Sequence, residues 1–538
     1  MPVPRVQFRL FCRAARVALF LLLVSVTALR AVAAGSEPPA PPAAVPDFQL
    51  NELRVLGNTV LTPLQISSLL YQYLGPHRTL ADVERARTAL EAEYHAAGYG
   101  TVFVDIPEQT VGDDGVVRLH VTESKLQHAG LSGARYFSNR QIRAAVPAAA
   151  AGTVPNLPAI QAQVNAVNAV TADRVVVPVL KAGSTPGTVV LDMKVQDHLP
   201  LHGLVELNNQ YAADTSQLRS ILALSYDNAF GRQDSLGLQL QTSPQQRRQV
   251  DVLAATYSMR LNDSANRLTF TFIDSSSEVA TLSDINVIGK GRDYGLKLLH
   301  PAPVDGGASL SVGLEYKDSA QDVSLSANQS LSTPLSYASL QFGFGWQERN
   351  ERGNWLWTNA IVLGLPGVGG SRSEFADKCF GCKPGFWLLR SDASIERTLL
   401  HRLSAALRVA GQYSVDPVIS NEQLLLGGAH SVRGYLEAEE PGDAGVRAAL
   451  ELHVHPLVPE AWRVALDPFL FFDTGFSSFQ QPLPGQTRRA TLRSAGVGLN
   501  WAVWHWLSGS LTLAQPLIDA TRTRHGDRRL EFDVRGTF

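Results

Sequence analysis

Long hydrophobic runs are missing from most of this chain. Beyond the first 33 residues, no stretch approaches the ~20 apolar residues that a membrane-spanning helix needs, so a helical membrane protein is excluded. Cysteine is almost absent. Of three, Cys12 lies near the N-terminus and only Cys379 and Cys382 remain. With no second CxxC and no nearby His, zinc binding or redox chemistry has little support. Excess charge is missing as well: 47 basic against 49 acidic residues leave a formal charge of −2. That argues against nucleic acid as a partner. There is no GxxxxGK[ST], GxSxG or HExxH motif, so the chain is not expected to be an enzyme or to carry a metal or cofactor.

What is present starts with an export signal. Arg5, Arg9, Arg13 and Arg16 precede a mostly apolar segment, Val17 to Leu29, and Ala31-Val32-Ala33 fits the small-x-small cleavage rule. Residues 1–33 are read as a signal peptide and 34–47 as a Pro-rich linker, whose prolines disfavour a helix. The exported setting turns Cys379 and Cys382 into a candidate structural disulfide.

Residues 48–123 read as one small α+β module. A strand runs over Phe48–Leu56 and Gly57-Asn58 makes a turn. Pro63 opens a helix, and Thr79 with Asp82 forms a capping box before a helix carrying Val83, Ala86, Leu90 and Tyr94 at helical spacing. Two strands follow. Residues 124–198 repeat the order, with helices over Ser138–Val146 and Pro158–Val170 and strands at Val175–Leu180 and Val189–Val195. Tandem modules of this size lie in the normal domain range.

From residue 200 to the C-terminus the pattern is strand throughout. Leu310, Val312, Leu314 and Tyr316 alternate with polar residues or glycine, and so do Leu530, Phe532 and Val534 before the terminal Phe538. Period alone does not separate a soluble sandwich from a membrane barrel. Connection length does. Short turns near Phe230-Gly231-Arg232, Asp263, Asp305-Gly306, Arg352-Gly353 and His401 alternate with long loops. Those cover about 276–290, 318–333, 365–386, 414–442, 474–490 and 516–528. About 16 antiparallel strands with this alternation predict an all-β transmembrane barrel. Trp355, Trp357, Trp501, Trp504 and Trp506 lie near strand ends, where an aromatic girdle belongs.

The longest loop, about 414–442, contains Gly427-Gly428-Ala429-His430-Ser431-Val432-Arg433-Gly434-Tyr435. Its glycines allow a tight backbone path. An Arg433 folded into the lumen would need a carboxylate, and Asp473, with Phe471 and Gly475 beside it, falls on an inward register of its strand.

These residues carry a resemblance. Val432-Arg433-Gly434-Tyr435 resembles the VRGY motif of the BamA-type superfamily, and Phe471-x-Asp473-x-Gly475 its partner motif. Gly442-Asp443, Gly445 and Glu451 fit the strand between. The strand-then-Gly-Asn opening Val55-Leu56-Gly57-Asn58-Thr59-Val60 and the helix ending Ala96-Ala97-Gly98-Tyr99 resemble POTRA domains. Two such modules and a barrel look like the two-partner secretion transporters, the TpsB family of FhaC, ShlB and HecB. The resemblance implies an outer-membrane protein with periplasmic POTRA domains. It would capture an unfolded exoprotein of the hemolysin/hemagglutinin-like TpsA type and pass it through the barrel, with the loop's Arg433 paired to Asp473. It also implies outer-membrane lipids as surroundings, and Phe538 as the signal by which the barrel assembly machinery inserts the chain. The alternative it leaves open is a BamA- or TamA-like insertase of other barrels.

Overall fold

The computed structural model describes residues 47–538 apart from 262–264, 283–284, 303–306, 321, 327–328, 333, 401, 455–457 and 459–461. The export signal, the linker up to residue 46 and the turns expected at Asp263, Asp305-Gly306 and His401 lie outside the described residues.

The first module has a three-stranded sheet in which Glu52–Leu56 and Val102–Asp105 flank Val116–Glu123. The strand expected over Phe48–Leu56 is broken at Asn51, and Phe48–Leu50 pairs instead with Gly75–Arg78. Asn51 leaves the ladder because its amide donates to the Gly115 carbonyl at 2.8 Å. Two helices, Pro63–Leu70 and Leu80–Ala96, cover the sheet and bury Leu90 and Tyr94 in its core. Gly57 is the residue only glycine can be. Its φ is +87°, and a Cβ there would stand 2.3 Å from the Val121 carbonyl oxygen. Asn58 then closes the turn by accepting the Leu61 amide at 3.0 Å, and Tyr94 donates to it at 2.6 Å. Thr79 and Asp82 form a reciprocal capping box. Bonds from the Thr79 amide and hydroxyl, then from Arg85, hold the Asp82 carboxyl down at about 2.

The second module repeats this physics. Thr188–Asp197 lies between Lys125–Ser132 and Arg174–Ala182, with helices at Asn139–Ala144 and Leu157–Asn168. Gly133 takes the place of Gly57, with φ +94° and the Val195 carbonyl oxygen 2.2 Å from an added Cβ. Where the Glu123 carboxylate accepts the amides of Thr59 and Val60 in the first module, Asp197 accepts those of Arg135, Tyr136 and Phe137 in the second. Burial would raise the Asp197 carboxyl, but these three amides hold it below the usual carboxylate value.

Among the described residues, sixteen antiparallel strands close a barrel from Leu201–Asn208 to Arg529–Thr537, each bonded to its neighbour in sequence. The last strand returns to the first through Asp533↔Asn208 to Thr537↔Leu204. Beyond them, the Phe538 and Gly203 amides each donate to the other's carbonyl, at 3.1 and 3.0 Å. Closure leaves no open edge, which is what a strand protein needs in lipid. The apolar face points outward: Leu310, Val312 and Leu314 are 50, 44 and 45 % exposed. A sandwich would have buried them against a second sheet.

Several loops expected from the sequence are shorter, because strand pairing continues past the apolar band. The segment 276–290 is not a loop: Arg267–Leu282 and Ile285–Pro301 pair all the way to Leu282↔Ile285. Serine breaks no ladder, and pairing through Ser275, Ser276 and Ser277 satisfies the backbone as well outside lipid as within it. For the same reason Ser309–Ala320 runs into 318–333, where a hairpin of Asp322–Ser326 and Gln329–Ser332 follows. Gly353–Gly369 runs into 365–386, and Val464–Ser478 into 474–490. After Gly369 comes a helix, Arg372–Lys378, started by a capping box of Ser371 and Glu374. Cys379 and Cys382 are joined as a disulfide with Cα atoms 5.5 Å apart. The five tryptophans expected in the girdle sit by the short turns: Trp355 and Trp357 after 351–352, and Trp501, Trp504 and Trp506 around the turn that ends at Leu507.

Candidate functional site: the infolded loop

Strand Leu403–Ser414 ends and Ala444–Val454 begins with 29 residues between them, 415–443. That segment turns into the barrel. Its glycines set the path: Gly427, Gly428 and Gly434 have φ of +99°, +102° and +89°. Val432 and Tyr435 are fully buried. They pack with Leu426 and Leu492, and the Tyr435 hydroxyl lies 2.7 Å from the Ile518 carbonyl and 2.9 Å from that of Arg493.

Arg433 is 8 % exposed and Asp473 is 0 % exposed. The guanidinium meets the carboxylate as a fork, with Nε donating to Oδ2 and Nη2 to Oδ1, both at 2.7 Å. The Arg433 backbone amide donates to the same Oδ2 at 3.1 Å. A planar fork matched to a carboxylate is directional as well as strong. Phe471 lies under the guanidinium, 3.8 Å from ring centroid to Cζ, which adds a cation–π contact. Gly475 gives the loop room: a Cβ there would meet Val432 Cγ2 at 3.0 Å. Phe471, Asp473 and Gly475 alternate along one strand and so face the same side, the lumen.

Three partners were not legible in the sequence. Glu451, read only as part of the intervening strand, accepts Arg433 Nη1 at 2.6 Å. Glu531 accepts the Gly434 amide at 2.8 Å. At the root of the loop, Glu422 is 1 % exposed. Lys317, Tyr337 and Arg390 donate to its carboxylate at 2.8, 2.7 and 2.8 Å. The one signal available was a carboxylate in a loop that elsewhere carries the Arg433 motif. His453 and His455 stand at i, i+2, a spacing that could put two metal ligands on one side of a strand, but His453 is engaged by Glu451 at 3.1 Å and Asp467 at 2.9 Å. His455 lies outside the described residues.

Counting from Leu201–Asn208, Glu422 is held by the seventh, eighth and tenth strands, Arg433 by the twelfth and thirteenth, and Gly434 by the sixteenth. The Glu437 amide then donates to the Tyr211 carbonyl, just past the first strand, at 3.2 Å. The loop thus crosses the lumen from one part of the wall to another. Buried ion pairs fix it there.

Comparison with known proteins agrees with this architecture. Residues 48–124 match the model of the POTRA domain, ShlB-type. The Outer membrane transporter CdiB of Dickeya dadantii is 25 % identical over 88 % of this chain and 83 % of its own length. The Heme/hemopexin transporter protein HuxB of Haemophilus influenzae is 22 % identical over 87 and 84 %. The solved structure of CdiB from Escherichia coli superposes over 98 % of both chains with a TM-score of 0.61 at 20 % identity, which shows a shared fold. Residues 187–501, more than half of the sequence, match the model of the haemolysin secretion/activation protein ShlB/FhaC/HecB. The chain therefore belongs to that family of outer-membrane secretion proteins.

Proposed function

We propose that this protein takes an unfolded partner exoprotein of the TpsA type from the periplasm and passes it through its barrel, with loop 415–443 as the gate. The observation that carries this reading is the docking of Arg433 on Asp473 inside a closed barrel. A buried fork of this kind, backed by the Arg433 backbone amide on the same carboxylate, holds a loop in one place. The two modules supply sheet edges: Val175 and Val177, each 46 % exposed, lie on the edge strand Arg174–Ala182. An extended client can add to such an edge by backbone pairing. Phe538 serves as the assembly signal for insertion into outer-membrane lipid by the barrel assembly machinery. Cys379–Cys382 is a structural bond in the external loop. Insertion of other barrels is the weaker reading, because the matched family is one of secretion proteins.

The test uses the full chain with a co-expressed partner exoprotein. Arg433→Ala and Asp473→Ala leave the barrel inserted, seen as unchanged heat-modified gel mobility, and lower secretion. Normal export by both variants sinks the proposal.

A further inference from the structure

Besides the Arg433 fork, a second group of buried charges holds the loop. Glu422 lies on a 3₁₀ turn, Ser420–Glu422. Its carboxylate meets Lys317, Tyr337 and Arg390 from three strands. Its own carbonyl oxygen accepts Gln412 Nε2 at 2.7 Å and Arg390 Nη2 at 3.2 Å. Just before it, Val418 and Ile419 are 1 % exposed. They pack with Phe375, Cys382 and Phe386 of the disulfide-bearing loop. Tyr337 is edge-on to both Phe375 and Phe386, with ring centroids 6.0 Å away. An apolar cap thus covers the loop root and fixes the hydroxyl that binds Glu422.

We infer that Glu422 is a second lock: a positioning residue that holds the root of the infolded loop through Lys317, Tyr337 and Arg390, so that the lumen opens only when this lock and the Arg433 lock are both released. The inference rests on the gating role proposed for loop 415–443. Two features separate a lock from a brace of the barrel. Glu422 lies eight residues beyond the end of its preceding strand at Ser414, so its bonds form only when the loop is docked. The wall keeps partners without it: Lys317 has Glu315 at 3.4 Å, and Arg390 has Gln412 at 2.9 Å. A barrel lacking the Glu422 carboxylate therefore retains paired cations, while the docked loop loses three charge-assisted bonds.

The experiment records single channels of the full-length protein in planar lipid bilayers, with heat-modified gel mobility as the check on folding. Glu422→Ala is expected to raise the open fraction about tenfold or more, the size set by losing charge-assisted bonds from one state only. Glu422→Gln keeps the volume and one acceptor and is expected to fall between it and wild type. Combining Glu422→Ala with Arg433→Ala should open the pore further than either change alone. If Arg433→Ala raises the open fraction but both Glu422 variants behave as wild type, the second lock is refuted and the gating role stands. If neither position changes conductance, the gating role itself fails. A residue that only braces the barrel would lower thermal resistance and leave the open fraction unmoved, which also refutes the lock.

Discussion

Replacing Asp473 by Asn tests the fork with the least change in shape. Asp473 accepts three bonds from Arg433, at 2.7, 2.7 and 3.1 Å, in a site with no solvent exposure. Asn retains one carbonyl oxygen and places an amide N–H₂ against a guanidinium nitrogen, so one arm of the fork changes from attraction to clash. Removing one partner of a buried pair costs ~3–5 kcal/mol. Arg433 still has Glu451 at 2.6 Å, which puts the loss near the low end, about 3 kcal/mol. Since about 1.4 kcal/mol is a factor of ten, the undocked loop should become roughly a hundredfold more populated. Val432→Cys reports that population. Val432 is fully buried beside Arg433, and Cys is a small apolar residue that such a site tolerates. Both native cysteines described here are in a disulfide, so a maleimide added outside reacts at position 432 when the loop leaves its site. Labelling should be about a hundredfold faster in the Asp473→Asn background. Equal labelling rates in the two backgrounds would show that the fork does not hold the loop.

Backbone and capping chemistry make two further predictions. Gly427→Ala forces a side chain into φ +99° and brings its Cβ to 2.4 Å from the Leu436 carbonyl oxygen. The strain is about 1–3 kcal/mol, enough to loosen the loop and raise conductance. Gly485→Ala serves as the control: its φ is +85° but nothing lies within 4 Å, so conductance should not move. In the first module, Asp82 is held down at about 2, below its ordinary 3.8, by bonds to Thr79 and then Arg85. A depressed carboxyl stabilises above its unfolded value and loses that contribution as pH falls from about 4 to about 2. Hydrogen exchange of the Asp82 and Val83 amides, both bonded to the Thr79 carbonyl, should lose protection over that window after correction for intrinsic rates. Protection that stays level across it would overturn the capping argument.

The sequence by itself determined the local elements, because their causes are local. The Asn58–Leu61 turn, the Thr79–Asp82 box and the long helix are set by neighbours a few residues apart. Alternation of period two also decided which side of each barrel strand is apolar. It did not decide where strands stop: the pairs out to Leu282↔Ile285 are made by backbone, to which a serine run gives no signal. Arg433 and Asp473 were legible together because both sit in recognisable motifs forty residues apart. Glu422 was not. Its partners Lys317, Tyr337 and Arg390 are 105, 85 and 32 residues away, in strands whose pattern shows only that they are strands. Period two names the face a residue is on, but not which of sixteen walls a loop will reach. Only closure of the barrel brings a carboxylate in the loop against those three side chains, and so only the tertiary structure decided that the loop is held at Glu422 as well as at Arg433.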